Sequence, residues 1–248
     1  MVSLSSTNAC ASVPSTVTVP SGSTSATFTI TTSGVSAYTT ATIIAAIGSS
    51  SEYAYLGVSE AGGNGLSLSP STVAGGVSST GTVTLNGLAG PGGEVVSLSS
   101  NSSCATLPSS VTVPAGATSA TFTVTTSGVG SYTTVTITAS MTGSSQMAYL
   151  AVIEAGVSSV SLSPSSVVGG SSSTGTVTLD GVAGPGGEVV TLSSNNGSAS
   201  VPSTVTVPAG SSSVTFTVTT STVTSTTTAT ITAGADYVYE SATLTINT

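Results

Sequence analysis

Three stretches of this chain repeat one another at a fixed period of 94 residues, and that period limits the fold more than any other feature. Pro14, Pro108 and Pro202 are 94 apart, as are Phe28, Phe122 and Phe216, and Leu4, Leu98 and Leu192. Residues 66–154 align with 160–248 without a gap, at 56 identities in 89 positions. Tandem duplication at this length means one unit built repeatedly rather than three specialised domains. A repeat has no intrinsic phase, so the boundaries come from composition. The Gly-containing acidic segments EAGGNG at 60–65 and EAGVSS at 154–159 follow apolar alternations that end at Val58 and Val152. The units are therefore placed at 1–60, 65–154 and 159–248. The first lacks about 28 residues at its start, corresponding to LSLSPSTVAGGVSSTGTVTLNGLAGPGG at 66–93.

Within the second unit, apolar residues alternate with Thr and Ser in seven short runs: 66–69, 81–85, 95–99, 110–113, 119–126, 132–140 and 147–153. Period two, with Gly and Pro punctuation and no helical periodicity or caps, reads as strands. Seven strands in about 90 residues indicate an antiparallel two-sheet sandwich, so the fold class is all-β with about seven strands per complete repeat. Val135, Ile137 and Ala139 are expected to face inward while Thr134, Thr136 and Thr138 face water. Phe122, Val124, Leu150 and Val152 supply the opposing layer. The GPGG turns at 90–93 and 184–187 fall where the chain crosses between sheets.

Composition removes most chemistry. The chain has eight carboxylates and no Lys, Arg or His, and only 3% of its residues are charged, against about 25% in an ordinary soluble chain. Without cations there is no phosphate clamp and no basic patch, which excludes nucleic acid as a partner. Without imidazole or ammonium there is no general base for a Ser, Cys or Ser-Lys hydrolase, so no enzyme is expected and no catalytic residue is assigned. Internal isopeptide bonds, which need lysine, are impossible. Ser and Thr make up 99 of the 248 residues and stand where charges normally cover a sheet's solvent face. No stretch approaches the roughly 18 apolar residues of a membrane span. The start, MVSLSSTNAC, lacks the basic segment of a signal peptide. A secreted protein would already have lost its signal, or this chain would be part of a longer one.

LSLSPSTVAGGVSSTGTVTLNGLAGPGGEVVSLSS followed by LPSSVTVPAGATSATFTVTT resembles the bacterial immunoglobulin-like repeats found in tandem on large surface and secreted proteins, including adhesins and fibre-forming proteins. The resemblance covers essentially the whole chain. It implies tandem immunoglobulin-like sandwiches serving as an extracellular or cell-surface stalk, spacer or filament subunit, and it carries over no catalytic residue. The chain departs from the family's pattern in lacking lysine, and from antibody-type domains in lacking the buried Trp and the paired cysteines.

Few residues stand out as candidate sites. Cys10 and Cys104 occupy one repeat position, with Ser198 in the third copy. Equivalent points in successive sandwiches lie a domain length apart, beyond disulfide reach, so each is either a small core residue or a link to another chain. Asn101-Ser-Ser and Asn196-Gly-Ser match the N-glycosylation acceptor pattern. Glu60 and Glu154 lie at the junctions, where calcium binding through carboxylates and carbonyls is a minor alternative to simple solubilising charge. No cofactor is otherwise expected. The seven tyrosines cluster toward the ends of units, where either ordinary packing or cross-strand pairing, or contacts to glycans or other subunits, would employ them.

The incomplete first unit raises a further expectation. With its first two strands missing, the face carrying Val17, Val19, Phe28, Ile30 and Ile43 lies open and the fifth strand has an unpaired edge. Such an edge is a template for pairing, and Phe28 and Ile30 become candidate intermolecular contacts. A longer upstream polypeptide or strands from a sibling subunit would fill the gap. The expected function is that of a structural stalk or filament, associating with itself or siblings in a fibre. The alternative is an adhesin-type module recognising a glycan or a host protein.

Overall fold

The alternating runs resolve, in a computed structural model that describes residues 1–248, into 24 strands with no helix among the regular elements. The first unit holds β1 (Val2–Ser6), β2 (Ala11–Ser12), β3 (Thr16–Val17), β4 (Thr31–Thr32), β5 (Thr39–Ile47) and β6 (Ser50–Val58). The second holds β7 (Gly63–Ser69), β8 (Thr72–Ala74), β9 (Ser79–Leu85), β10 (Glu94–Ser100), β11 (Ala105–Thr106), β12 (Ser110–Val113), β13 (Ser119–Thr126), β14 (Thr133–Met141) and β15 (Ser144–Ile153). The third repeats these nine as β16 (Val157–Ser163), β17 (Ser166–Val168), β18 (Ser172–Leu179), β19 (Glu188–Ser194), β20 (Ala199–Ser200), β21 (Thr204–Val207), β22 (Ser213–Thr220), β23 (Thr227–Ala235) and β24 (Val238–Asn247). No helix is long and apolar enough to cross a membrane.

Each complete unit is a sandwich of two sheets. In the second, one sheet runs β7-β9-β13-β11 and the other β12-β10-β14-β15-β8. The long strands follow the A-B-E and C-F-G orders of the immunoglobulin arrangement, with the fourth expected strand, β12, beside β10 in the second sheet and the two-residue β11 at the D edge of the first. β8 leaves β7 to join the opposite sheet, lying parallel to β15 with Val73 opposite Val152. The nine strands are the seven expected plus two short ones, β8 and β11. Neither has enough residues to show an alternation, and each exists because a longer neighbour offers it a free edge.

The cores follow the pattern set by the sequence. Val135 and Ile137 are fully buried and Ala139 nearly so, facing Phe122 and Val124 of the other sheet. Leu150 and Val152, expected in the opposing layer, lie instead in the same sheet, because β15 is the hairpin partner of β14 and pairs Leu150 with Val135. Phe122 pairs across the ladder with Gly81, and a Cβ on Gly81 would collide with the ring; glycine is what lets the aromatic lie flat on the opposing strand. Phe216 and Gly175 repeat the arrangement. The two buried polar side chains are also equivalent. Ser79 and Ser173 donate their hydroxyls to the carbonyls of Pro70 and Pro164, each at 2.7 Å, which satisfies the buried hydroxyls.

The first unit is a fragment of this design. Its sheet runs β3-β1-β5-β6, and of the second sheet only the β2-β4 pair remains. Its core is five buried residues, Cys10, Ala11, Val35, Ala41 and Ile43, against 17 and 18 in the complete units. The open-edged fifth strand expected from the sequence does not form over most of its length: the equivalent of β13 keeps only Thr31–Thr32 as strand. A strand with one missing partner and little cover loses the ladder that would hold it extended.

Candidate functional site: the joints between units

Short linkers bring successive units into direct backbone contact. Each linker is clamped to the unit that follows. Gly62 N–H donates to Asn86 Oδ1 at 2.8 Å while Asn86 N–H donates to the Gly62 carbonyl. Gly156 and Asp180 repeat this reciprocal pair, with the carboxylate as acceptor at 2.9 Å.

The loop GxAGPGG after β9 or β18 does more than cross between sheets. Its outer surface meets the far end of the preceding unit. At the second joint, Val182 N–H donates to the Gly75 carbonyl across the boundary at 2.7 Å. Val182 also covers Gly76, where a Cβ would stand 2.7 Å from its Cγ2. Gly128 lies beneath the carbonyls of Val182 and Ala183, and Gly184 lies against the backbone of Val129 and Gly130. At the first joint Gly34 lies beneath the carbonyls of Leu88 and Ala89, and Gly90 against the backbone of Val35. The counterpart of Gly75 belongs to the strands that the first unit lacks, and a cleft of about 270 Å³ lined by Thr32, Gly34, Val58, Glu60, Asn86 and Leu88 opens at this joint.

Carboxylates gather at the second joint. Glu154, from the linker, and Glu188, at the start of β19, both have pKa values raised, first by burial and then by the negative charge of Asp236 at the β23–β24 turn. No three His, Cys, Asp or Glu side chains take positions that would hold a metal ion.

The residues singled out from the sequence are scattered rather than gathered. Cys10 is buried in the small first core and Cys104 is half-buried, its sulfur accepting a hydrogen bond from Ser102 at 3.2 Å; both are free thiols. Asn101 is exposed, its Oδ1 accepting from Thr136 N–H at 2.8 Å. Asn196 spends its amide nitrogen, the atom a glycan would take, on Thr227 Oγ1 and the Thr228 carbonyl. Phe28 and Ile30 are half-buried, where their counterparts Phe122 and Val124 are buried.

The tyrosines depart from ordinary packing: all seven are at least 60% exposed. Tyr53 and Tyr55 stand on one face of β6, and Tyr38 lies over Gly57 on the same face, its hydroxyl 2.6 Å from where a Cβ would be. Tyr132, Met147 and Tyr149 hold the equivalent places in the second unit, and all are exposed. The third has Thr226, Ser241 and Thr243 there.

No family model matches the sequence, and no curated protein matches it. Among solved structures, the chain is similar to invasin, a bacterial integrin-binding protein, at 15% identity and a TM-score of 0.45, over 99% of this chain and 52% of that one. It is similar to the D0-D1 domain of intimin at 18% identity and a TM-score of 0.31, over 75% of this chain and 99% of that one. The Yersinia pseudotuberculosis adhesin InvE gives 18% identity and a TM-score of 0.35, over 74% of this chain and 59% of that one. The immunoglobulin-like fold rests on this chain's own strand order and on the parallel pairing of β8 with β15.

Proposed function

We propose that this chain is a non-enzymatic structural segment of an extracellular or cell-surface protein, a stalk or filament made of immunoglobulin-like units stacked through stiff joints. The observation that supports it most is the second joint, where backbone meets backbone through glycine and Val182 is hydrogen-bonded to Gly75. Freely jointed domains keep mobile linkers and few shared contacts; here the linker glycines are clamped as well. The composition suits exposure outside a cell. A chain without Lys or Arg offers trypsin-like proteases no site, and its hydroxyl-covered sheets keep it hydrated with few charges.

Small-angle scattering on the 248-residue chain tests this reading. An elongated particle with a narrow distribution of long distances is expected, and a broad distribution typical of independently swinging domains would overturn it.

The exposed tyrosines favour a second reading, an adhesin-type module that stacks a glycan on Tyr38, Tyr53 and Tyr55. With no cation on any side chain, the ligand would be an uncharged sugar. Binding on a glycan array that is lost in Tyr53→Ala and Tyr55→Ala would establish it, and no binding to any neutral glycan would remove it.

A further inference from the structure

Gly34 and Gly128 occupy one repeat position, and the third unit has Thr222 there. Neither glycine has a positive φ, so its backbone would suit any residue. What both share is a following unit pressed against them. A Cβ on Gly128 would stand 2.6 Å from the Val182 carbonyl oxygen and closer still to that of Ala183; one on Gly34 would collide with the carbonyls of Leu88 and Ala89. These are main-chain oxygens in clamped loops, so no rotamer change relieves the overlap.

The third unit carries the larger threonine at this position within the same local packing. Gly169 packs on Ser221, Thr222 and Val223 as Gly75 packs on Ser127, Gly128 and Val129. Threonine is thus compatible with the unit itself and incompatible only with the seated neighbour.

We infer that the residue at this position decides whether the far end of a unit seats another copy of the repeat: glycine admits the GxAGPGG loop and threonine refuses it. The partner that fits the ends of the first two units is a further unit bearing that loop. The end bearing Thr222 does not take one in this pose, and any unit following it would have to meet it through a different contact. The inference deepens the stalk reading and rests on it.

The test is amide exchange at Val182 in the full chain, comparing the unchanged protein with Gly128→Thr and Thr222→Gly. Gly128→Thr is expected to speed Val182 exchange roughly tenfold or more, the effect of losing one protected hydrogen bond. Amides of Ile137 and Val177, in the two cores, should keep their protection, and Thr222→Gly should change neither. Unaltered Val182 protection in Gly128→Thr would overturn the inference and leave the stalk reading intact. Loss of protection at Ile137 would also overturn it, because the unit is required to tolerate threonine as the third does. A Val182 amide unprotected in the unchanged protein would overturn both.

Discussion

The ring of Phe122 rests on Gly81, its partner across the β9–β13 ladder, in a space no side chain could share. Replacing Gly81 by Val is therefore expected to destabilise the second unit by about 1–3 kcal/mol through overpacking, although valine favours strands. Chemical denaturation of the variant checks this. A stability equal to that of the parent would show that the ring has somewhere else to go.

In the first unit the equivalent ring, Phe28, is only half-buried against a core of five residues. Phe28→Ala should cost well under the about 3–5 kcal/mol expected for Phe122→Ala. The amides of Thr27 and Thr29 should exchange close to the rate of an unfolded chain, while those of Thr121 and Thr123 stay protected. Residue-resolved hydrogen exchange reads both, and strong protection at Thr27 would mean that the face is covered in solution.

Acid should strengthen the third unit rather than weaken it. Glu154 and Glu188 have pKa values raised in the folded state by burial and by Asp236, so the fold binds their protons more tightly than the unfolded chain does. That stabilising increment is fully present below the unfolded pKa and is lost as pH rises through the raised folded values. No lysine, arginine or histidine pairs with any carboxylate, so protonation breaks no side-chain ion pair. Thermal unfolding at about pH 4 is expected above that at pH 7, and a lower transition in acid would contradict it.

The β23–β24 turn is strained. Asp236 and Tyr237 both adopt positive φ, at 49° and 67°, where the corresponding turn of the second unit places Gly143. Tyr237→Gly should raise the stability of the third unit by about 1 kcal/mol, and a calorimetric scan that shows no upward shift would count against it.

The hydroxyl of Ser79 is buried and donates to the carbonyl of Pro70, a residue that is itself exposed. Ser79→Val removes this hydrogen bond and is expected to cost about 0.5–1.5 kcal/mol, more than Ser79→Ala because the two added methyl groups crowd a filled position. Parallel denaturation curves for the two variants decide the order.

Much of this architecture was legible in the sequence because period two and period 94 are local and additive signals. Val135, Ile137 and Ala139 face inward as their alternation requires, and the GPGG turns cross between sheets where expected. β8 and β11 were not legible, since two or three residues carry no periodicity and their pairing is decided by distant strands. The joint was half visible. The GPGG loop stands out by composition, but the surface it meets at Gly128 lies 55 residues upstream of Ala183 and is recognisable only through the exchange of Gly34 and Gly128 for Thr222. The sequence left the tyrosines open between packing or cross-strand pairing and outward contacts. They stand exposed on the outer faces of their strands, Tyr55 opposite Thr42 and Tyr149 opposite Thr136, because the inner faces are already filled by Val and Ile.

Because one missing Cβ lets two units meet, flexibility along the chain is separable from folding. A single codon change from glycine to alanine or serine at position 34 or 128 leaves both neighbouring cores intact while loosening the step between them. A lineage carrying such repeats could tune the reach and bend of the molecule one joint at a time, without ever passing through an unstable domain.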